Sequence, residues 1–304
     1  MARLALDRGR PAAAWQLVYL LTSFHEVAGH WTERIELCRV ACAAASAAGD
    51  PAAEAEMLRA LGVSYFMTRR LDEAVATNLR ALDAVRGDLA GEGHVYNNLG
   101  NAYVELRRFG EAVDAFHLAV ARAESAGSRL GAALSRRNLG RALVLMGRAA
   151  ESLDPLTAAL TAFVEIGNDR LRAGTLDTLG EAQRDLGRHA DALRSFTDAL
   201  AICSQTGDRW LEWELLLNAG RTHLAAGDPA AAIRCCDRAL PVTRAVGDRN
   251  GEALALHLLG RAHLAAGDRP AAAEHLDRAL AARSRVPDRH EEAAIRADLA
   301  AATT

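Results

Sequence analysis

Tyr96–Val120 reads YNNLGNAYVELRRFGEAVDAFHLAV. It is rich in helix-forming residues, with Leu99-Gly100 in its first half and Ala112 in its second. Small residues at these points let two helices of a hairpin approach, because larger side chains would push the axes apart. The Leu-Gly pair is not isolated. It recurs at Leu61-Gly62, Leu139-Gly140, Leu179-Gly180 and Leu259-Gly260, with Ala219-Gly220 filling the remaining slot, at spacings of 38, 40, 40, 40 and 40 residues. Gly49, Gly87, Gly127, Gly167, Gly207 and Gly247 form a second series, each thirteen residues before the glycine of a pair. Two independent markers therefore set one register.

Each period holds a glycine, often an Asp or Ser, a helical stretch with Leu-Gly, a polar break, and a second helical stretch. At Gly207-Asp208 and Gly247-Asp248 the glycine suits a left-handed helix terminus and the aspartate suits the next N-cap. Breaks such as MGRAAES, LGRHADA and AGDPAAA join the two helices of an antiparallel hairpin. A hairpin cannot bury its own apolar face, so neighbours stack into an α-solenoid.

Composition agrees. Of 304 residues, 50% are hydrophobic and only 5% aromatic, and Ala, Leu, Arg and Glu dominate, which favours an all-α chain. Net charge is −3, so no chain-wide basic field recruits nucleic acid. All 36 basic residues are arginine, which excludes a Walker A lysine and a Schiff-base lysine. The five cysteines form no CxxC, and no signal peptide or long apolar run is present. A cytoplasmic protein with no membrane span is expected.

Tyr96, Leu99, Gly100, Tyr103, Ala112, Phe116 and Ala119 stand at the spacing of a known signature, and the segment resembles a tetratricopeptide repeat. Leu179, Gly180, Ala192, Phe196 and Ala199 match less fully, as do Leu259, Gly260, Ala272, Leu276 and Ala279. The resemblance covers nearly the whole chain. It implies a single solenoid over residues 1–304: about seven hairpins, a degenerate first repeat near 11–48 and a capping helix near 289–301. At 40 rather than about 34 residues, each hairpin gains about one and a half helical turns.

FHEVAGHW, Phe24–Trp31, looks at first like a zinc-protease motif. Its histidines are five apart, about 140° around a helix, rather than the four apart that converge on a metal. Counting back one period from Gly62 puts His25 in the slot of Tyr65 and Tyr103 and makes Gly29-His30 a hairpin turn; no metal or cofactor is expected. With AAASAAGDPAAEAEMLRALG, this repeat also resembles the tetratricopeptide region of actinobacterial SARP/AfsR-type and STAND regulators. That resemblance implies either a stand-alone repeat protein or the sensor end of such a regulator.

Cys38 and Cys236 occupy the slot of Phe116 and Phe196 and read as small core residues rather than ligands or redox groups. His223 and His263 share the Tyr103 slot and read as packing residues. Trp210 and Trp213 straddle a repeat boundary, where packing competes with ligand stacking. No nucleophile, base and acid are grouped, so no catalytic residue is assigned and no enzyme is expected.

The resemblance implies partner binding on the concave side, lined by each first helix. One position after the repeat glycine, the column includes Asn101, Arg141, Glu181, Arg221 and Arg261. Three before it, the column includes Arg59, Asn97, Arg137, Asp177 and His257. Asn97, Asn101, Arg137 and Arg141 together could grip a peptide backbone or carboxylate, with exposed side chains that matter little to folding. The competing interpretation is a solvated face of i,i+4 charge pairs. The expected function is a non-catalytic scaffold for a protein or peptide segment, in trans or intramolecular, in bacterial regulation. The alternative is a sensor of a small molecule or signalling peptide that changes solenoid pitch. Neither nucleic acid nor membrane is expected as a direct partner, and the oligomeric state is left open.

Overall fold

The computed structural model describes residues 2–283 and 288–303. Among these, every regular element is an α-helix, and by contact the chain divides into two units, Met1–Met146 and Gly147–Thr304. The first holds α1 (Ala2–Asp7), then the pairs α2 (Pro11–Ala28) and α3 (Trp31–Ala47), α4 (Pro51–Met67) and α5 (Leu71–Ala84), and α6 (Leu89–Glu105) and α7 (Phe109–Ser125). It ends with α8 (Arg129–Leu145). The second begins with α9 (Ala149–Ile166). It continues with α10 (Asp169–Asp185) and α11 (His189–Thr206), α12 (Arg209–Ala225) and α13 (Pro229–Ala245), and α14 (Arg249–Ala265) and α15 (Arg269–Arg283), and ends with α16 (Arg289–Thr303). Within each unit a first helix packs on its own second helix and on that of the preceding hairpin. This is the stacking that the repeat requires.

Local chemistry sets the boundaries. Gly207 and Gly247 adopt φ of +72° and +73°, a region that glycine enters without steric cost. The Asp208 carboxylate accepts the Leu211 N–H at 3.1 Å, and that of Asp248 accepts the Gly251 N–H at 3.0 Å. Each cap satisfies one of the four free amides at a helix start. Arg69 (φ +62°) and Arg107 (φ +58°) hold the same left-handed geometry in the α4–α5 and α6–α7 turns.

Inside the hairpins, Gly62, Gly100, Gly180 and Gly260 each face the second helix at the residue sixteen positions on. A Cβ on Gly100 would stand 2.5 Å from the Phe116 ring, and one on Gly180 would meet Phe196 at the same distance. Cys38 and Cys236 fill this slot fully buried, and burial raises their thiols to about 11 and about 12. Such thiols stay protonated at neutral pH, as core residues rather than nucleophiles. In the second hairpin the slot holds Asn78, 1% exposed, whose Nδ2 donates to the Ala74 carbonyl at 2.8 Å. Its Oδ1 has no partner among the described residues.

The outer face of α2 departs from the later repeats. Leu20 is 75% and Phe24 62% exposed, whereas Asn138 and Ala102, in the same columns of later repeats, are buried. At the end of this helix, His25 Nδ1 lies 2.8 Å from the Leu21 carbonyl, so that ring nitrogen is a donor within its own helix.

Candidate functional site

The two columns lie along one face of the first helices, and the two units present it separately. In the first unit Asn97 and Asn101 stand one turn apart on α6, and Arg137 and Arg141 stand one turn apart on the neighbouring α8. Asn138 joins them. Its Nδ2 donates to Asn97 Oδ1 at 3.0 Å, while its Oδ1 accepts from Arg137 Nη2 at 3.3 Å. Asn101, Asn138 and Arg141 border a small depression with Phe66, Glu105 and Phe116.

The arginines carry the electrostatics. Burial, and then the neighbouring Arg141 charge, lowers the proton affinity of the half-buried Arg137 guanidinium. Arg141 is exposed, and among the described residues of the first unit neither arginine forms an ion pair with a carboxylate. Arg59, by contrast, is engaged: its Nη2 lies 2.6 Å from Glu56 Oε1, one turn back on α4.

In the second unit the same geometry recurs with different charges. Asn218 Nδ2 donates to Asp177 Oδ1 at 2.9 Å and to Glu181 Oε1 at 3.4 Å, and its Oδ1 accepts from Arg221 Nη1 at 3.0 Å. Burial, reinforced by Glu181, pushes the Asp177 carboxyl up to about 7. Burial and Arg184 lower the proton affinity of Arg221. One step further, His257 Nε2 lies 2.8 Å from Asp298 Oδ2 and its Nδ1 lies 3.4 Å from Glu291 Oε2. Arg261 Nε approaches Asp298 at 3.9 Å.

The expectation that Asn97, Asn101, Arg137 and Arg141 are exposed is therefore corrected: Arg141 is exposed, but Asn97, Asn101 and Arg137 are half-buried. Further along the column Asp177 is half-buried and His257 buried, and Asn97, Asp177 and His257 are each hydrogen-bonded to the next first helix. The physical reason is stacking: the column three before each glycine lies within reach of the column two before the next. Sequence reasoning missed those partners, Asn138, Asn218 and Asp298. Their signal was a mostly polar column at that offset, Asn98, Asn138, Thr178, Asn218 and Asp298, in an otherwise apolar helix face.

A tetratricopeptide repeat family model matches residues 91–163, 130–205 and 214–285. The chain is a tetratricopeptide repeat protein. No curated protein sequence matches this repeat protein. Among solved structures, the apo form of RapI is similar with a TM-score of 0.72 at 14% identity, over 90% of this chain and 98% of that one. A Rap protein complexed with competence and sporulation factor has a TM-score of 0.67 at 16% identity, over 95% and 80%. A STAND protein with a tetratricopeptide repeat sensor from Pyrococcus horikoshii has a TM-score of 0.71 at 14% identity. There the match covers 98% of this repeat protein but only 45% of the larger chain. At such identities the likeness is one of fold. No helix among the described residues is long and apolar enough to cross a membrane.

Proposed function

We propose that this repeat protein is a non-catalytic scaffold that binds a peptide or protein segment on the first-helix face of its first unit. Arg137 and Arg141 take a carboxylate, and Asn101 takes the peptide backbone. The observation that carries this is the arginine pair itself. Two like charges one turn apart, one of them half-buried, are left without a carboxylate among the described residues of their own unit. A partner's acidic side chain or C-terminus supplies the missing charge-assisted hydrogen bonds. Asn97 serves differently, as the acceptor that orients Asn138.

The test is a peptide-display selection on the wild-type chain with counter-selection on Arg137→Ala with Arg141→Ala. Enriched peptides should carry a carboxylate and lose affinity for the double variant. Peptides that bind both proteins equally would remove the arginines from the site.

A second reading, a signalling-peptide sensor, draws on the likeness to a Rap protein complexed with competence and sporulation factor and to a STAND protein with a repeat sensor. The resemblance of the first repeat to SARP/AfsR-type and STAND regulators supports reading the chain as part of bacterial cytoplasmic regulation. Binding would then change solenoid pitch, which small-angle scattering with and without a selected peptide would detect.

A further inference from the structure

The repeat spacing breaks once, between Gly62 and Gly100, where 38 residues stand in place of 40. In the fold the deficit falls on α5, which has 14 residues against 17 in both α3 and α7. A cavity of about 500 Å³ lies beside its shortened end. It is a half-open hollow lined by the first turns of α4, the end of α5 and the residues after it, and the start of α6, all within the first unit. At the next step, between α6 and α8, the corresponding space is only about 30 Å³. There α7 has its full length, and Leu134 stands in the column that holds His94 beside the large cavity.

The lining defines what fits. Ala52, Ala55 and Val85 make an apolar wall. At the inner rim Glu56 and Arg59 cancel each other's charge through contacts of 2.6 Å, leaving a carboxylate lone pair and guanidinium N–H groups for further hydrogen bonds. Partial burial and the Arg59 charge lower the proton affinity of His94, which favours the uncharged ring. Arg86 is paired with Asp83 at 3.0 Å, and Asp88 stands at the α6 N-terminus. The other side of the Glu56–Arg59 pair opens into a second cavity of about 410 Å³, with Tyr19 and Thr22 on its wall. The ion pair is thus a rib between two hollows on the face that carries the arginine site.

We infer that the cavity beside α5 is a subsite for an uncharged, apolar peptide segment of about two leucine-sized residues. Its side chains occupy the alanine-lined wall, and its amides hydrogen-bond to Glu56 and Arg59. The volume lies within the roughly 300–1,000 Å³ range of small-ligand sites. A carboxylate ligand is disfavoured because both lining arginines already pair with carboxylates, Arg59 with Glu56 and Arg86 with Asp83. This assignment rests on the reading that the first-helix face binds peptide, and it adds where an apolar anchor sits.

The probe is N-acetyl-Leu-Leu-amide, titrated into the full ¹⁵N-labelled chain while amide shifts are followed, with sodium acetate as the anionic comparison. Saturable shifts centred on Ala52, Ala55, Val85, Gly91 and His94 are expected, with none of that pattern from acetate. Ala52→Phe projects a ring into the cavity from an exposed position. It should weaken the dipeptide at least tenfold while leaving the melting temperature and the remaining spectrum in place. Arg137→Ala with Arg141→Ala, on α8, should leave dipeptide affinity within twofold, so loss of the arginine site and loss of the cavity are read on different variants. Absence of saturable shifts, undiminished binding to Ala52→Phe, or acetate acting on the same amides would overturn the assignment.

Discussion

Asn218 donates to Asp177 at 2.9 Å across 41 residues, from the first helix of one hairpin to that of the one before. Asn138 reaches Asn97, and Asp298 reaches His257, over the same separation. The pairing recurs every 80 residues with changed chemistry: amide to amide, amide to carboxyl, imidazole to carboxylate. A buried polar group must find its partner, so each pair fixes which residues face each other when hairpins stack. The face proposed to bind partners is therefore also part of the stacking interface.

Asp177 gives the first prediction. Its folded value is raised to about 7 from an ordinary carboxylate value of about 3.9. The folded state therefore binds more protons between these limits, and its contribution to stability falls as pH rises through that window. Asp177→Asn keeps an acceptor for Asn218 without the charge. It should stabilise the chain by more than about 1 kcal/mol at pH 8 and by close to nothing at pH 4. Urea unfolding at both pH values decides it; an equal change at both would contradict the proton linkage.

Asn78 gives the second. Its amide occupies the slot that Leu276 fills in the α14–α15 hairpin, with Oδ1 buried and without a partner among the described residues. Asn78→Leu removes a desolvated polar group and adds apolar contact in a slot that accommodates leucine elsewhere. The expected gain is about 1–2 kcal/mol in unfolding free energy. A loss of stability would mean that the Asn78 carbonyl is satisfied in solution, most simply by water.

Close approach inside the hairpin gives the third. Gly180→Ala would place a methyl 2.5 Å from Phe196 Cε1, so the ring or the helix must move. Overpacking of this kind costs about 1–3 kcal/mol. Gly220→Ala should cost less, because its nearest neighbour would be Leu258 at 3.2 Å. Thermal unfolding of the two variants side by side tests the ranking, and equal losses would contradict it.

Much of this architecture was legible because stacking leaves a mark at fixed intervals. Gly100 could be assigned to a close approach because glycine recurs where a helix meets its partner, and the Phe116 slot was visible even where Cys38 or Cys236 occupies it. The polar pairs were less legible. Asn97 looks like a surface residue when its hairpin is considered alone, and its partner Asn138 belongs to the next hairpin. The spacing of 38 was visible too, but not its consequence. The cavity depends on where the two missing residues fall, at the end of α5.

The arginine pair gives the last prediction, and its two members should separate. Arg141 is exposed and has no carboxylate partner among the described residues of its unit, so Arg141→Ala should shift unfolding free energy by less than about 0.5 kcal/mol. Arg137 is half-buried and donates to Asn138 at 3.3 Å, but this long bond leaves the Asn138–Asn97 contact intact when removed. Relief of repulsion from Arg141 opposes the lost packing, so Arg137→Ala should stay within about 1 kcal/mol. Binding should respond far more strongly. The double variant should lose about 2 kcal/mol or more of affinity for a carboxylate-bearing peptide, the scale of lost charge-assisted contacts. Amidating the peptide's carboxylate should weaken binding to the wild type and have little further effect on the double variant, because the charge has then lost its counterpart. Isothermal titration of both peptides against both proteins closes the cycle. Additive losses would show that the arginines and the carboxylate do not meet.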